Sequence, residues 1–440
     1  MPRRRTTPFV AAAAAGLGVA AALAAPGPAA TAAAPRFAKP VLLTVDANAG
    51  GYEPGVVVDK FGNVVVTAHK QNHTLVVSPD SRSATGTRSM SWVWWSRDGG
   101  KTFADMPGLT LAQEQNAQFG DEGDLATDAT GHIYFVDTNV GDISFTRWRA
   151  SGRDELVLET TRPANVMGEP VDDRPWITAH GDGVVMYLGN EGGDEYPAGQ
   201  PPLGGQPDAA NGPGRYTIYM SYDHGDTFDH TGYTLRDSGW CRPLTDRRKT
   251  TKSFYVVCSD DNGTHYAYVS TDDGHHFTRY TMGKYASSSW INGAVGPDGS
   301  LYAMYHEKHD DGQHLMLYTS KNAGRTWSKR DVTVGRPGAI AYSWMDVSPK
   351  GLLGIAYYFS KDGSHDWEVW AGTAKPGQKF AFGKVAPGQK LTADNSGAPW
   401  GDFFQIAFGP DEKLNVVWTQ NAALAGVGGL NSEIYYARQL

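Results

Sequence analysis

An eight-residue string, Ser-x-Asp-x-Gly-x-Thr-aromatic, recurs along this chain, and self-similarity of this kind constrains a fold more than any single residue can. It stands as Ser96-Arg97-Asp98-Gly99-Gly100-Lys101-Thr102-Phe103 and again as Ser221-Tyr222-Asp223-His224-Gly225-Asp226-Thr227-Phe228. Looser copies are Ser270-Thr271-Asp272-Asp273-Gly274-His275-His276-Phe277, with His for Thr, and Ser320-Lys321-Asn322-Ala323-Gly324-Arg325-Thr326-Trp327, with Asn for Asp. Each follows an alternating apolar run such as Trp92-Val93-Trp94-Trp95, so the pattern reads strand, turn, strand. The Asp carboxylate accepts backbone N–H bonds across the turn, the Gly takes a conformation closed to other residues, and the aromatic plugs the turn against the sheet. The string therefore builds structure rather than chemistry.

These strings resemble the Asp box, or BNR repeat, of the sialidase (neuraminidase) superfamily and related propellers. A second repeat of apolar strand, Gly-containing turn and apolar strand agrees with that architecture. It begins with Val56-Val57-Val58 to Val64-Val65-Val66 and ends with Ile406-Ala407-Phe408 to Leu414-Asn415-Val416-Val417, seven units in all. The last unit supplies only three strands before Leu440, while Val41 to Val45 is a lone strand ahead of the first. Pairing the two completes a blade and removes open sheet edges. The expected fold is all-β: a β-propeller of four-stranded antiparallel blades, seven in preference to the six of sialidases, closed by the N-terminal strand on the last blade. A merged second or sixth unit would give six. Gly 53, Tyr 21 and Trp 13 among 440 residues favour short strands and tight turns over helices.

Arg3, Arg4 and Arg5 precede an Ala-rich apolar stretch from Phe9 to about Ala25 and then a small-residue, Pro-rich segment. That order reads as a secretory signal peptide, removed between Ala25 and Ala34. Residues 1–34 are set aside as leader and linker, and 35–440 are expected to form a single sialidase-like propeller domain. The apolar run falls short of the roughly 20 residues a transmembrane helix needs. A secreted, extracellular protein follows, by the Sec or the twin-arginine route. A net charge of −8 fits solubility and argues against a nucleic-acid partner. The oligomeric state is not legible.

In a propeller the innermost strands begin together near the axis, on the face opposite the repeated turns. Counting back seven positions from the residue two before each hairpin Gly gives Glu53, Glu122, Arg174, Trp290 and Tyr342, with Phe403 for the last unit. Cys241-Arg242-Pro243 matches Asp173-Arg174-Pro175 and adds Arg242; neighbouring positions add Tyr52, Asp121, Asp124, Asp172, Asp173, Asn292, Asp346 and Asp402. Carboxylates serve as acid, base or nucleophile, arginines hold an anionic substituent, and rings stack on pyranose faces. Tyr342, Glu53, Asp124 and Asp402 are the expected catalytic residues. Arg174, Arg242, Asp173, Tyr52, Trp290 and Asp346 are the expected substrate contacts. The same residue types also cap loops, and an Arg-Pro-Trp strand start also serves to tie neighbouring blades by an ion pair. Long connections, Lys70 to Met90 and Asn190 to Arg215, are expected as binding elements on the same face.

Two inner strands sharpen the family resemblance. Tyr342-Ser343-Trp344-Met345-Asp346, leading to Gly354-Ile355-Ala356-Tyr357-Tyr358, resembles the sialidase strand that begins with the catalytic tyrosine. The resemblance implies Tyr342 as nucleophile, with a nearby carboxylate taking its proton. Tyr52-Glu53-Pro54-Gly55-Val56 resembles the sialidase Arg-Ile-Pro strand, but Tyr52 stands where the family has one of three arginines that grip the sialic acid carboxylate. Losing one member of such a clamp costs roughly 1.5–3 kcal/mol. The expectation is a secreted glycoside hydrolase acting on a terminal sugar, acidic sugars included, and not an ordinary sialidase. A polysaccharide lyase and a non-catalytic glycan- or protein-binding propeller are the alternatives.

Cys241 and Cys258 are the only cysteines and fall at one end of one hairpin, so a disulfide is expected. His69, His180, His265, His306 and His309 show no ligand spacing, and no metal is assigned. No cofactor is required by this reading, while Ca2+ at the acidic mouth is an option through oxygen ligands. The expected partner is a carbohydrate or glycoconjugate.

Overall fold

The apolar runs pair into seven four-stranded antiparallel sheets, each a blade. The computed structural model describes residues 33–44, 49–72, 91–108, 122–138, 143–163, 175–191, 215–235, 240–245, 248, 251–260, 262–285, 291–333, 338–363, 366–388, 401, 403–423 and 430–440. Blades 1 to 6 occupy 49–105, 122–163, 176–235, 240–284, 292–331 and 339–384, with chain order running from the axis outward. Their inner strands touch in cyclic succession, the seventh against the first. Among the described residues there is no α-helix, and no helix long and apolar enough to cross a membrane.

Blade 7 closes the ring from both chain ends. Its strands Ile406–Phe408, Leu414–Ala423 and Leu430–Arg438 are joined by Val41–Leu42, with Val41 opposite Tyr436 and Leu42 opposite Tyr435. Backbone bonds from Leu43 to Ile434 (2.8 Å) and from Leu440 to Arg36 (2.8 Å) extend the join.

Strand periodicity explains the packing between blades. Successive side chains point to opposite faces, so Ile133 and Phe135 of blade 2 pack with Val57, Val65 and Val93 of blade 1. Tyr134 and Val136 pack instead with Ile177, Val185 and Tyr187 of blade 3. Both faces of an interior strand are covered, which is why the second strands read as continuous apolar runs.

The repeated strings are turns between third and fourth strands. Partial burial opposes ionisation of Asp98, but bonds from the Thr102 amide and hydroxyl, the Ser96 hydroxyl and the Lys101 amide bring its carboxyl down to about 2. The fifth-position glycine has two reasons. Its φ is positive, between 76° and 86° in the four copies, and a Cβ on Gly100 or Gly225 would lie 2.1 Å from Tyr436 or Phe145. Those rings belong to the preceding blade, so the glycine also permits blade-to-blade contact. The fourth position is left-handed as well, occupied by Gly99, His224, Asp273 and Ala323.

Polar residues on inner strands bind the backbone of the next. Asp124 accepts from the Ile177 amide (3.1 Å), Asn292 from Met345 (3.1 Å), Asp346 from Phe408 (2.7 Å) and Gln405 from Val56 (3.3 Å). Four of the seven blade junctions around the axis are thereby stitched.

Cys241 and Cys258 face each other across the inner hairpin of blade 4 and are bonded, as the sequence suggests. The bond spans 17 residues, a loop for which chain entropy gives about 3 kcal/mol. Reduction with alkylation is expected to lower the unfolding free energy by that order in urea titration; unchanged stability would mean that the hairpin is held by packing alone.

Candidate functional site

The inner strands of blades 1 and 6 both break register where they start. Pairing slips between Tyr52 and Gly55 in one and between Ala341 and Trp344 in the other. Within each bulge one non-glycine residue is left-handed: Glu53 at φ 51° and Tyr342 at φ 46°. That backbone costs roughly 1–2 kcal/mol per residue, and Pro54 adds to it, because a residue before proline is normally extended. Bulges re-aim side chains next to active sites. The two residues stand at equivalent positions of their blades.

Glu53 is buried, with Oε2 3.2 Å from Nε2 of buried His69. His69 lies directly across the hairpin from Tyr52, ring centroids 4.3 Å apart. Gly401, at φ 84°, backs onto Glu53: a Cβ there would fall 2.6 Å from Glu53 Cγ. Tyr342 is half-buried and meets Tyr358 edge to face at 6.1 Å. The Tyr358 hydroxyl donates to the Thr419 carbonyl (3.2 Å) and accepts from its amide (3.0 Å), fixing the ring behind Tyr342. Burial, with the Tyr342 ring a lesser influence, raises the Tyr358 hydroxyl well above the ordinary tyrosine range.

Asp124 and Arg242 occupy one another. Arg242 Nη1 donates to Asp124 Oδ2 at 2.9 Å, the Ile177 amide bonds the same oxygen, and Gln405 Nε2 donates to Oδ1 at 2.9 Å. The guanidinium sits 4.2 Å from the Trp176 ring centre and 4.8 Å from that of Trp344, and Phe403 packs on both rings. Asp124 is almost completely buried. A carboxylate bonded on both oxygens and an arginine stacked on two indoles form a floor, better suited to positioning than to proton transfer. Below it, a cavity of about 390 Å³ extends from Arg242, Trp344 and Gln405 to the turns at Lys60, Ala129, Pro297 and Pro410. Apolar side chains such as Val57, Leu125, Ile177 and Val295 line it together with Asp59, Lys60 and Arg248.

Of the remaining expected residues, Asp346 is engaged between blades 6 and 7 as described. Glu122 begins the inner strand of blade 2. Arg174, Asp173, Asp172, Trp290, Asp121 and Asp402 lie outside the described residues, as do most of both long connections. His69 and Gln405 are candidate-site residues that the strand-start count passes over. His69 was findable by numbering across the hairpin from Tyr52; Gln405 carries no signal, since its neighbours come from distant blades.

No family model and no curated protein matches this chain. Solved structures do. An α-L-arabinofuranosidase from Fusarium graminearum in complex with an iminosugar inhibitor is 12% identical with a TM-score of 0.44, over 92% of this chain and 97% of that one. The intramolecular trans-sialidase from Ruminococcus gnavus is 12% identical with a TM-score of 0.42, over 90% and 96%. A protein of unknown function from Dyadobacter fermentans is 12% identical with a TM-score of 0.44, over 92% and 99%. The chain is a seven-bladed β-propeller, and sialidases are among the propellers it is similar to. Likeness at this level carries no argument about chemistry, which rests on the residues.

Proposed function

We propose that this protein is a secreted glycoside hydrolase acting on a terminal sugar at the axial mouth, with Tyr342 and Glu53 as its reacting groups. The observation that carries the reading is the pair of left-handed bulges at equivalent starts of two inner strands, one bearing a tyrosine and the other a histidine-paired carboxylate. Strain of this kind, held by surrounding structure, clusters at active sites. In the proposed reaction the Tyr342 oxygen attacks the anomeric carbon as its proton passes to a carboxylate. Glu53, with His69 beside it, is assigned as that base, and the leaving-group oxygen takes a proton from Asp402. Water then attacks the anomeric carbon as Asp402 takes its proton, and the departing Tyr342 oxygen recovers its proton from Glu53, so that all three groups are restored.

Arg174, Asp173, Trp290 and Tyr52 are assigned as sugar contacts. Asp124 and Arg242 are assigned as positioning residues beneath them. With Arg242 held by Asp124, an anionic substituent would rest on Arg174 alone, so neutral or singly held uronic sugars suit the mouth better than sialic acid. The test is a panel of neutral, uronic and sialic glycosides with product analysis. The expected result is hydrolysis of a non-sialic glycoside with no unsaturated sugar. An ultraviolet-absorbing unsaturated product would establish a lyase, and binding without turnover a lectin-like propeller.

A further inference from the structure

Two histidines meet at the junction of blades 2 and 3, on the face opposite the mouth, and from their arrangement we infer that Asp128, His132 and His224 form a site for a divalent transition metal of the zinc class. One ligand atom from each lies within 4.8 Å of the others. Asp128 Oδ2 is 2.9 Å from Nδ1 of His132 and 3.9 Å from Nδ1 of His224. Ligand atoms around a tetrahedral zinc stand about 3.3 Å apart, given bonds near 2.0–2.1 Å. A small adjustment of the two rings, whose centroids are 4.5 Å apart, brings all three donors to that spacing. Imidazole with carboxylate is a donor set that zinc and its neighbours accept.

The repeat supplies an internal control. Asp59 and Asp260 stand where Asp128 does, and each accepts amides of its hairpin turn through Oδ1. Asp128 does the same with the amides of Thr130, Gly131 and His132, while its Oδ2 faces the Thr130 and Tyr134 hydroxyls and Nδ1 of His132. The turn accounts for the carboxylate in all three hairpins, whereas the histidines are particular to this junction. At the place of His132 the other two hairpins carry Asn63 and Thr264, and at the place of His224 the other strings carry Gly99, Asp273 and Ala323. Histidine departs from the repeat once in each of two blades, and the two departures face one another.

The surroundings match a metal site in a second, independent way. Ligating histidines generally hold a carboxylate at the ring nitrogen away from the metal. Glu159 Oε2 lies 3.6 Å from Nε2 of His132, and Asp182 Oδ1 lies 3.7 Å from Nε2 of His224. The Tyr134 hydroxyl donates to Asp128 Oδ2 at 2.8 Å and lies 3.3 Å from His224 Nδ1, within reach as a fourth donor or as an orienting one. Of the nearby cations, Arg147 and Arg149 pair with Glu159 at 2.9 Å each, and Arg147 also reaches Asp226 at 3.1 Å; Lys60 and Arg162 bond the Thr130 and Gly225 carbonyls. His224 is the solvent-facing member, giving an entry path. A bound ion would pin the string turn of blade 3 to the inner hairpin of blade 2.

Titration of metal-free protein with Zn2+ alone, by calorimetry, and with Co2+ alone, by its visible absorption, tests the site. The expected result is one equivalent bound, with the tetrahedral Co2+ spectrum and a raised melting temperature. His132→Asn and His224→Ala copy residues that other blades carry at these positions, so the fold should survive; each should weaken binding at least tenfold. Asp182→Asn, at an exposed position, should weaken it about tenfold. Undiminished binding in the two histidine variants would place the ion on surface histidines such as His275 and His276, and overturn the site. No stoichiometric binding by the folded wild-type chain would do the same.

Discussion

Tyr342→Phe is expected to lower turnover by two or more decades while leaving the melting temperature nearly unchanged. The substitution removes one oxygen. The ring and its edge-to-face contact with Tyr358 stay, so a residue whose task is packing would register little in either measurement. A nucleophile loses its reacting atom, and the loss appears in kcat and kcat/KM together. The left-handed backbone at this position sharpens the comparison, because Phe tolerates φ 46° no better and no worse than Tyr. On a hydrolysed glycoside, a fully active Phe variant would remove Tyr342 from the reaction and pass the chemistry to the carboxylates.

Asp124→Ala is expected to do the reverse, costing about 3–5 kcal/mol of stability by stranding a buried arginine. Arg242 would keep its two indoles, but Gln405 and the Ile177 amide would lose their acceptor as well. Attraction between a cation and a ring face is worth about 0.5–2 kcal/mol, too little to offset the loss. Urea denaturation measures the effect. A stable Asp124→Ala protein without turnover would restore Asp124 to the catalytic role that its strand-start position suggests.

The fold was legible because its evidence repeats. Four strings and seven hairpins fix strand order, blade number and the join of Val41 and Leu42 with the last blade, none of which depends on a single residue. The candidate site was legible only as a ring of positions. Counting reaches Glu53 and Tyr342, but it does not distinguish Tyr342 from Asp346 or Asp124, whose carboxylates serve blade junctions. That distinction rests on which backbone amide lies opposite in the next blade, and sequence separations of 53 and 62 residues hide such neighbours. His69 escaped because its partner is across the hairpin rather than beside it in the chain. His132 and His224 escaped because they lie 92 positions apart and share no motif; only the difference between equivalent blades exposes them.

The join between chain ends has a kinetic side. A ribosome delivers Val41 well before Tyr436, so the fourth strand of blade 7 has no partner until the other six blades have been made. Blades 1 to 6 are local and can form in order of synthesis, each burying its face against the one before. Blade 1 meanwhile holds an uncovered face that only blade 7 fits. The last contact to form is therefore the one of greatest sequence separation, which makes ring closure the slow event in folding. An incomplete ring is a spring-like array with two sticky ends, able to add a second copy in place of its own terminus. Loss of a dozen C-terminal residues would leave the chain in that state permanently.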